Sequence, residues 1–137
     1  MNIIIIQSIF IFDIIQEKRW IDSLISLDNF LENNNIEIEL YIIGYNNISK
    51  ENILVNFKHI KKYIKLLLFT DKNYGKSYNV NYILNTINEN QDFLFYMDGD
   101  IILLKYENLF DKLIDISKHN FGIIALNQQQ DCRHNPM

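Results

Sequence analysis

The chain has 137 residues, 48% of them hydrophobic and 22% charged, which is one domain's worth of protein with a core of its own and excludes wholesale disorder. A net charge of -4 argues against a nucleic-acid binder, which needs a basic face for phosphates, so no nucleic-acid partner is expected. The single cysteine, Cys132, allows no internal disulfide and points to a reducing compartment, the cytoplasm.

In chain order, short apolar runs alternate with helical stretches, the pattern of a βαβ protein with a mostly parallel sheet and helices on both faces. Asn2 to about Phe12 is nearly all Ile and Phe and reads as a strand buried on both faces. It is too short for a transmembrane segment, and it lacks the basic start and small-residue cleavage site of a signal peptide. From about Gln16 to Asn33, Trp20, Leu24, Leu27 and Leu31 recur at helical spacing, and the Asn33-Asn34-Asn35 run ends that helix. A second strand follows over Ile36 to Tyr45. Ser49 is the expected N-cap of a short helix carrying Ile53, Leu54, Phe57 and Ile60. Lys61, Lys62 and Lys65 lie in that helix and the turn after it and read as a solvated face.

Ile64 to Thr70 is a third buried strand. Between about Lys76 and Glu89, Val80, Ile83, Leu84 and Ile87 fit the i, i+3, i+4, i+7 template of a helix packed on a sheet. Phe93 to Met97 is a fourth strand and runs directly into Asp98-Gly99-Asp100. A helix over roughly Glu107 to Lys118 and a fifth strand over Phe121 to Leu126 complete a domain of residues 1–126, and 127–137 read as an irregular tail.

Parallel sheets of this kind bind ligands beyond the carboxyl ends of their strands. Attention therefore falls on Asn46 and Asn47, on Asp71, Lys72 and Asn73, and on Asp98 and Asp100. Two carboxylates flanking a glycine repel one another, and Mg²⁺ or Mn²⁺ relieves the repulsion while leaving positions open for substrate phosphates. Gly99 allows a tight turn and close approach of a ligand. An EF-hand loop starting at Asp98 would need Gly and Glu where Leu103 and Leu109 stand. An aspartyl-nucleophile phosphatase carries its Asp-x-Asp after the first strand. A nucleotidyltransferase has a glycine-rich loop there, and Gln7 to Asp13 holds no glycine. Neither a Walker loop nor a dinucleotide fingerprint is present.

A second element stands upstream. The stretch Asp71-Lys72-Asn73-Tyr74-Gly75-Lys76-Ser77-Tyr78-Asn79-Val80-Asn81 resembles the Asn-x-Gly-x-Ser-x-x-x-Asn segment of family-2-like glycosyltransferases of the GT-A fold. In that family a helix, a hydrophobic strand and an Asp-x-Asp motif follow, the order found here through Phe93 to Asp100. The resemblance implies a Rossmann-like GT-A sheet that binds a nucleotide-diphosphate sugar. This chain would supply the donor-binding, N-terminal half of an enzyme that transfers sugar from a UDP- or GDP-sugar to an acceptor glycan or protein. It further implies that Asp98 holds the ribose and Asp100, with Asp98, the Mn²⁺ or Mg²⁺. Gly99, Asn73, Gly75, Lys76, Asn81 and Asn46 complete the expected nucleotide-sugar site, and the segment Gln7 to Asp13 would surround base and ribose.

Two segments depart from the family pattern. Gln7-Ser8-Ile9-Phe10 stands where the family has a Pro-x-Tyr-Asn-like turn, and Gly44-Tyr45-Asn46-Asn47 where it has an aspartate for the base. The acceptor half and any general base lie outside the resemblance, which implies a second chain or a missing C-terminal half. His134 and Asp131 are the tail's candidates for a base or further metal ligand. The competing reading is a non-catalytic α/β nucleotide-binding or interaction domain.

Overall fold

The run of isoleucines at the start of the chain forms β1 (Ile3–Ile11), with Ile4, Ile5 and Ile6 fully buried. Such burial on both faces fits only the middle of a covered sheet. The computed structural model describes residues 3–34, 36–87, 93–103 and 109–118. After β1 come α1 (Ile14–Asn33), β2 (Ile38–Asn46), a 3₁₀ turn over Glu51–Asn56, α2 (Lys58–Tyr63), β3 (Ile64–Thr70), α3 (Lys76–Thr86), β4 (Phe93–Asp98) and α4 (Leu109–Ser117). The expected fifth strand and the boundary at residue 126 lie outside the described residues. The chain divides into two compact units, residues 1–106 and 107–137. In the second, α4 buries Leu109, Phe110 and Leu113, the side its spacing predicts.

The first unit is an α/β fold around four parallel strands in the order β3-β2-β1-β4. Strand alternation sorts β1 between two faces. Gln7 faces α1, since its side chain bonds Trp20 and Ser23 there. Ile4 and Ile6 face the other way and form a core with Ile43 of β2 and Ile83 of α3, flanked by Tyr41, Leu66, Leu68, Val80, Ile87 and Tyr96. Helices therefore cover both faces, as the sequence pattern predicts. The chain winds outward from β1 to β3, then α3 carries it back past β1 to β4. Right-handed crossovers require the returning helix to lie on the opposite face, and α3 does.

Several local expectations change. Helix α1 starts two residues before Gln16, because Asp13 caps it: the Asp13 carboxylate accepts the Gln16 N–H at 2.8 Å, and Gln16 accepts the Phe12 N–H at 2.8 Å. Ser49 is not an N-cap. Its N–H donates to Asn46 Oδ1 and its hydroxyl to Glu17 (2.6 Å), while the expected helix splits into the 3₁₀ turn and α2. The cap of α2 comes from far away, with Asp28 of α1 accepting the N–H groups of His59 and Ile60, both at 2.9 Å. Lys65 lies inside β3, not in a turn, because the strand begins directly after Tyr63. Helix α3 ends at Thr86 with extended backbone at Ile87. On it, Leu84 faces solvent, whereas Asn79 is buried.

One glycine is obligatory. A Cβ on Gly44 would sit 1.9 Å from the Ile9 carbonyl oxygen, so β2 lies against β1 this closely only with hydrogen at that position.

Candidate functional site

The strand order reverses between β1 and β4, and this switch point is where an open parallel sheet leaves a crevice at its carboxyl edge. Three elements converge there. Strand β1 supplies Ser8, β4 supplies Tyr96 and Asp98, and α3 supplies Lys76 and Asn79. Ser8 and Asp98 are in register on neighbouring strands, so their side chains share the α3 face.

The groups form one polar line. Asn79 Nδ2 donates to Ser8 Oγ at 2.9 Å. The Ser8 side chain acts on the Tyr96 phenol, and the Tyr96 hydroxyl donates to Asp98 Oδ1 at 2.5 Å. Lys76 Nζ reaches the same Oδ1 at 2.9 Å and lies 5.4 Å from the Tyr96 ring centre. Burial pushes the Tyr96 phenol well above its usual range. Its bond to Asp98 and that carboxylate's charge add to the rise, the Ser8 side chain opposes it, and the charge of Asp100 adds a further push. Both carboxylates of the Asp98-Gly99-Asp100 turn therefore act on one hydroxyl.

The turn is pinned from behind. The Ile101 N–H donates to the Asp98 carbonyl at 3.3 Å. Ser23 of α1 donates to the Ile101 carbonyl at 2.5 Å, and Ser26 of α1 accepts the Leu103 N–H at 3.0 Å. A Cβ on Gly99 would lie 2.9 Å from Ile9 Cγ2 and 3.3 Å from the Ser8 carbonyl oxygen. The glycine lets the turn rest against β1, a packing role beside the ligand approach its position suggests.

Before α3 the chain makes an Asx turn, with Asn73 Oδ1 accepting the Gly75 N–H at 3.0 Å. Gly75 takes φ +91°, a left-handed value, and caps the helix with open space where a side chain would stand. Lys76 follows as the first helical residue. With Ser77, Val80, Asn81 and Tyr96 it lines an open cavity of about 320 Å³, at the small end of ligand pockets. Neither aspartate is among its lining residues, but Lys76 and Tyr96, the two side chains that bond Asp98, both are.

Of the sequence candidates, Asp98 and Lys76 are in contact, Asn81 shares the cavity with Lys76, and Asn73 and Gly75 shape the loop that presents Lys76. Asp100 is exposed. Asn46 stands apart. Strand alternation puts it on the α1 face, where its Oδ1 accepts the N–H groups of Ile48 and Ser49 and holds the turn after β2. The segment Gln7 to Ile11 is strand, and Gln7 itself is sealed under α1. Sequence reasoning missed Ser8, Tyr96 and Asn79. The signal for Asn79 was a polar residue on the sheet-facing side of an amphipathic helix.

No family model and no curated protein sequence matches the chain. Among solved structures it is similar to the crystal structure of S. aureus TarS, a glycosyltransferase, at 18% identity and a TM-score of 0.52. The likeness is one of fold, a parallel α/β sheet flanked by helices. The match covers 87% of this chain and 20% of that one, so the chain spans about one fifth of the length of its structural neighbour.

Proposed function

We propose that the chain is the donor-binding part of a metal-dependent glycosyltransferase that takes a UDP- or GDP-sugar, with the acceptor-binding half supplied by further sequence or a second chain. The observation that carries this reading is the position of Asp98 at the switch point, on the end of β4, ion-paired to the first residue of the helix that crosses back over β1. The likeness of fold to a glycosyltransferase supports it independently.

In this reading Asp98 receives the ribose and Asp100, with Asp98, holds Mn²⁺ or Mg²⁺. The donor set suits such a cation. Among the described residues no group of three or more His, Cys, Asp or Glu gathers. Mg²⁺ and its like are commonly held by one or two carboxylates, with substrate phosphates and water completing the shell. Two aspartates on one tight turn match that need. When bound, the cation would supply Lewis-acid neutralisation of the charge on the departing nucleoside diphosphate.

The chain's own residues do the rest. Asn73 and Gly75 shape the loop before α3, whose N-terminus carries no side-chain cap and whose dipole there favours an anion. Ser77 and Asn81 offer neutral polar contacts along the cavity wall. Tyr96, protonated throughout the neutral range, holds the Asp98 carboxylate in one orientation.

Calorimetric titration of the purified chain with UDP and with GDP, with and without Mn²⁺, tests the proposal. Binding that requires Mn²⁺ and weakens at least about tenfold in Asp100→Ala is the expected result, given the strength of charge-assisted contacts. Binding indifferent to both the metal and the substitution, or no binding of either nucleotide, would leave the non-catalytic interaction domain as the better reading.

A further inference from the structure

Lys76 is placed for more than lining the cavity. Its ammonium and the Tyr96 hydroxyl converge on the same oxygen of Asp98, the carboxylate that the donor-binding reading assigns to ribose and metal. A divalent cation and an ammonium repel each other across one carboxylate, so the two cannot share Asp98 without cost.

We propose that Lys76 is an exchangeable counter-cation. It neutralises Asp98 while the site is free and moves to the diphosphate when a nucleotide arrives with its metal. The inference rests on the donor-binding reading above and assigns Lys76 the task of coupling the two arrivals.

Three observations carry it. First, the pair is built to part. The Lys76 and Asp98 side chains are 59% and 41% exposed, so water replaces the ion pair at little cost. Second, Asp98 stays oriented after Lys76 leaves. The Tyr96 hydroxyl still donates to it, and the Tyr96 ring is itself packed against the core of Ile4, Ile6, Ile43 and Ile83. Third, the ammonium has somewhere to go. Lys76 lines the 320 Å³ cavity with Ser77 and Asn81, and it springs from the first turn of α3, where an anion is favoured. A lysine suits this work better than an arginine, since a point charge on a flexible stem changes partner without giving up a bidentate fork.

The consequence is reciprocal. Each of the two ligands favours the state in which Lys76 has left Asp98, so each strengthens the other. Lys76 therefore opposes the cation alone and favours the cation with its nucleotide.

That opposition of sign is the test. Mn²⁺ binding to the full chain is followed by the loss of the free-ion EPR signal, first with MnCl₂ alone and then with UDP or GDP present. Lys76→Met should bind Mn²⁺ alone about two- to fivefold more tightly than wild type, because an exposed competing ion pair is gone. The same variant should bind Mn²⁺ with nucleotide about tenfold more weakly, because a charge-assisted phosphate contact is lost. Lys76→Arg, which keeps the charge, should stay near wild type for the metal alone. A merely structural lysine would shift both affinities in one direction.

Unchanged or weaker Mn²⁺ binding by Lys76→Met overturns the counter-cation role, even where nucleotide binding proves metal-dependent. Tighter Mn²⁺ binding by the variant, with no nucleotide bound by either protein, supports the screening of Asp98 and sinks the donor-binding reading instead.

Discussion

Gln7 and Ser8 are neighbours on β1, yet strand alternation sends them to opposite faces and into opposite kinds of polar network. On the α1 face the network is closed. Gln7 Nε2 donates to Ser23 Oγ at 3.0 Å, Trp20 Nε1 donates to Gln7 Oε1 at 3.0 Å, and the Ser23 hydroxyl donates to the Ile101 carbonyl. Gln7, Trp20 and Ser23 are all buried, and each is used. On the α3 face the network is open. Its inner end is Asn79, 2% exposed, whose Oδ1 has no partner among the described residues. Its outer end is Asp98, half in solvent and held by a lysine that water can replace. A closed polar circuit gives the fold rigidity, whereas an open one keeps unspent capacity for something else. The two share a backbone, because the segment that Ser23 grips is the one leading out of the Asp98-Gly99-Asp100 turn. The closed side holds the open side still.

The largest effect should come from breaking the closed side. Gln7→Leu strands the buried Trp20 N–H and removes a bond from Ser23, and should cost about 2–4 kcal/mol of stability in urea unfolding, given the penalty for buried unsatisfied donors. Asn79→Leu, of similar shape and burial, removes one bond but also an oxygen that has no partner among the described residues. It should change stability by less than about 1 kcal/mol. If the two substitutions cost the same, the distinction between closed and open circuits is wrong. Smaller still in stability terms are Lys76→Met and Asp100→Ala, whose side chains are exposed and whose effects belong to ligand affinity.

Much of this was legible in the sequence, and the reasons are physical. A run such as Ile3–Ile6 has no comfortable place except a doubly covered strand, so the parallel sheet follows from it. Asp98 was visible because two aspartates directly after an apolar strand must emerge at its carboxyl end. Pairings between distant segments were not visible. Asp28 caps a helix 31 residues away, and Asn79 reaches Ser8 across 71 residues. Helical periodicity assigned Leu84 to the sheet, although it lies one step of about 100° beyond buried Ile83 and turns outward. The same template passed over Asn79, because a polar residue on an inward face looks like noise until its partner is known. Asn46 closes β2, and alternation puts its side chain on the α1 face, where the following turn uses its oxygen.

The measurement that bears most directly on the central claim is paramagnetic broadening of amide NMR signals by substoichiometric Mn²⁺ in the presence of UDP or GDP. Asp98, Gly99 and Asp100 should broaden first, followed by Gly75 and Lys76 across the switch point. The Trp20 indole signal behind the sheet should persist longer. Broadening that begins elsewhere, or that ignores the nucleotide, would contradict that claim.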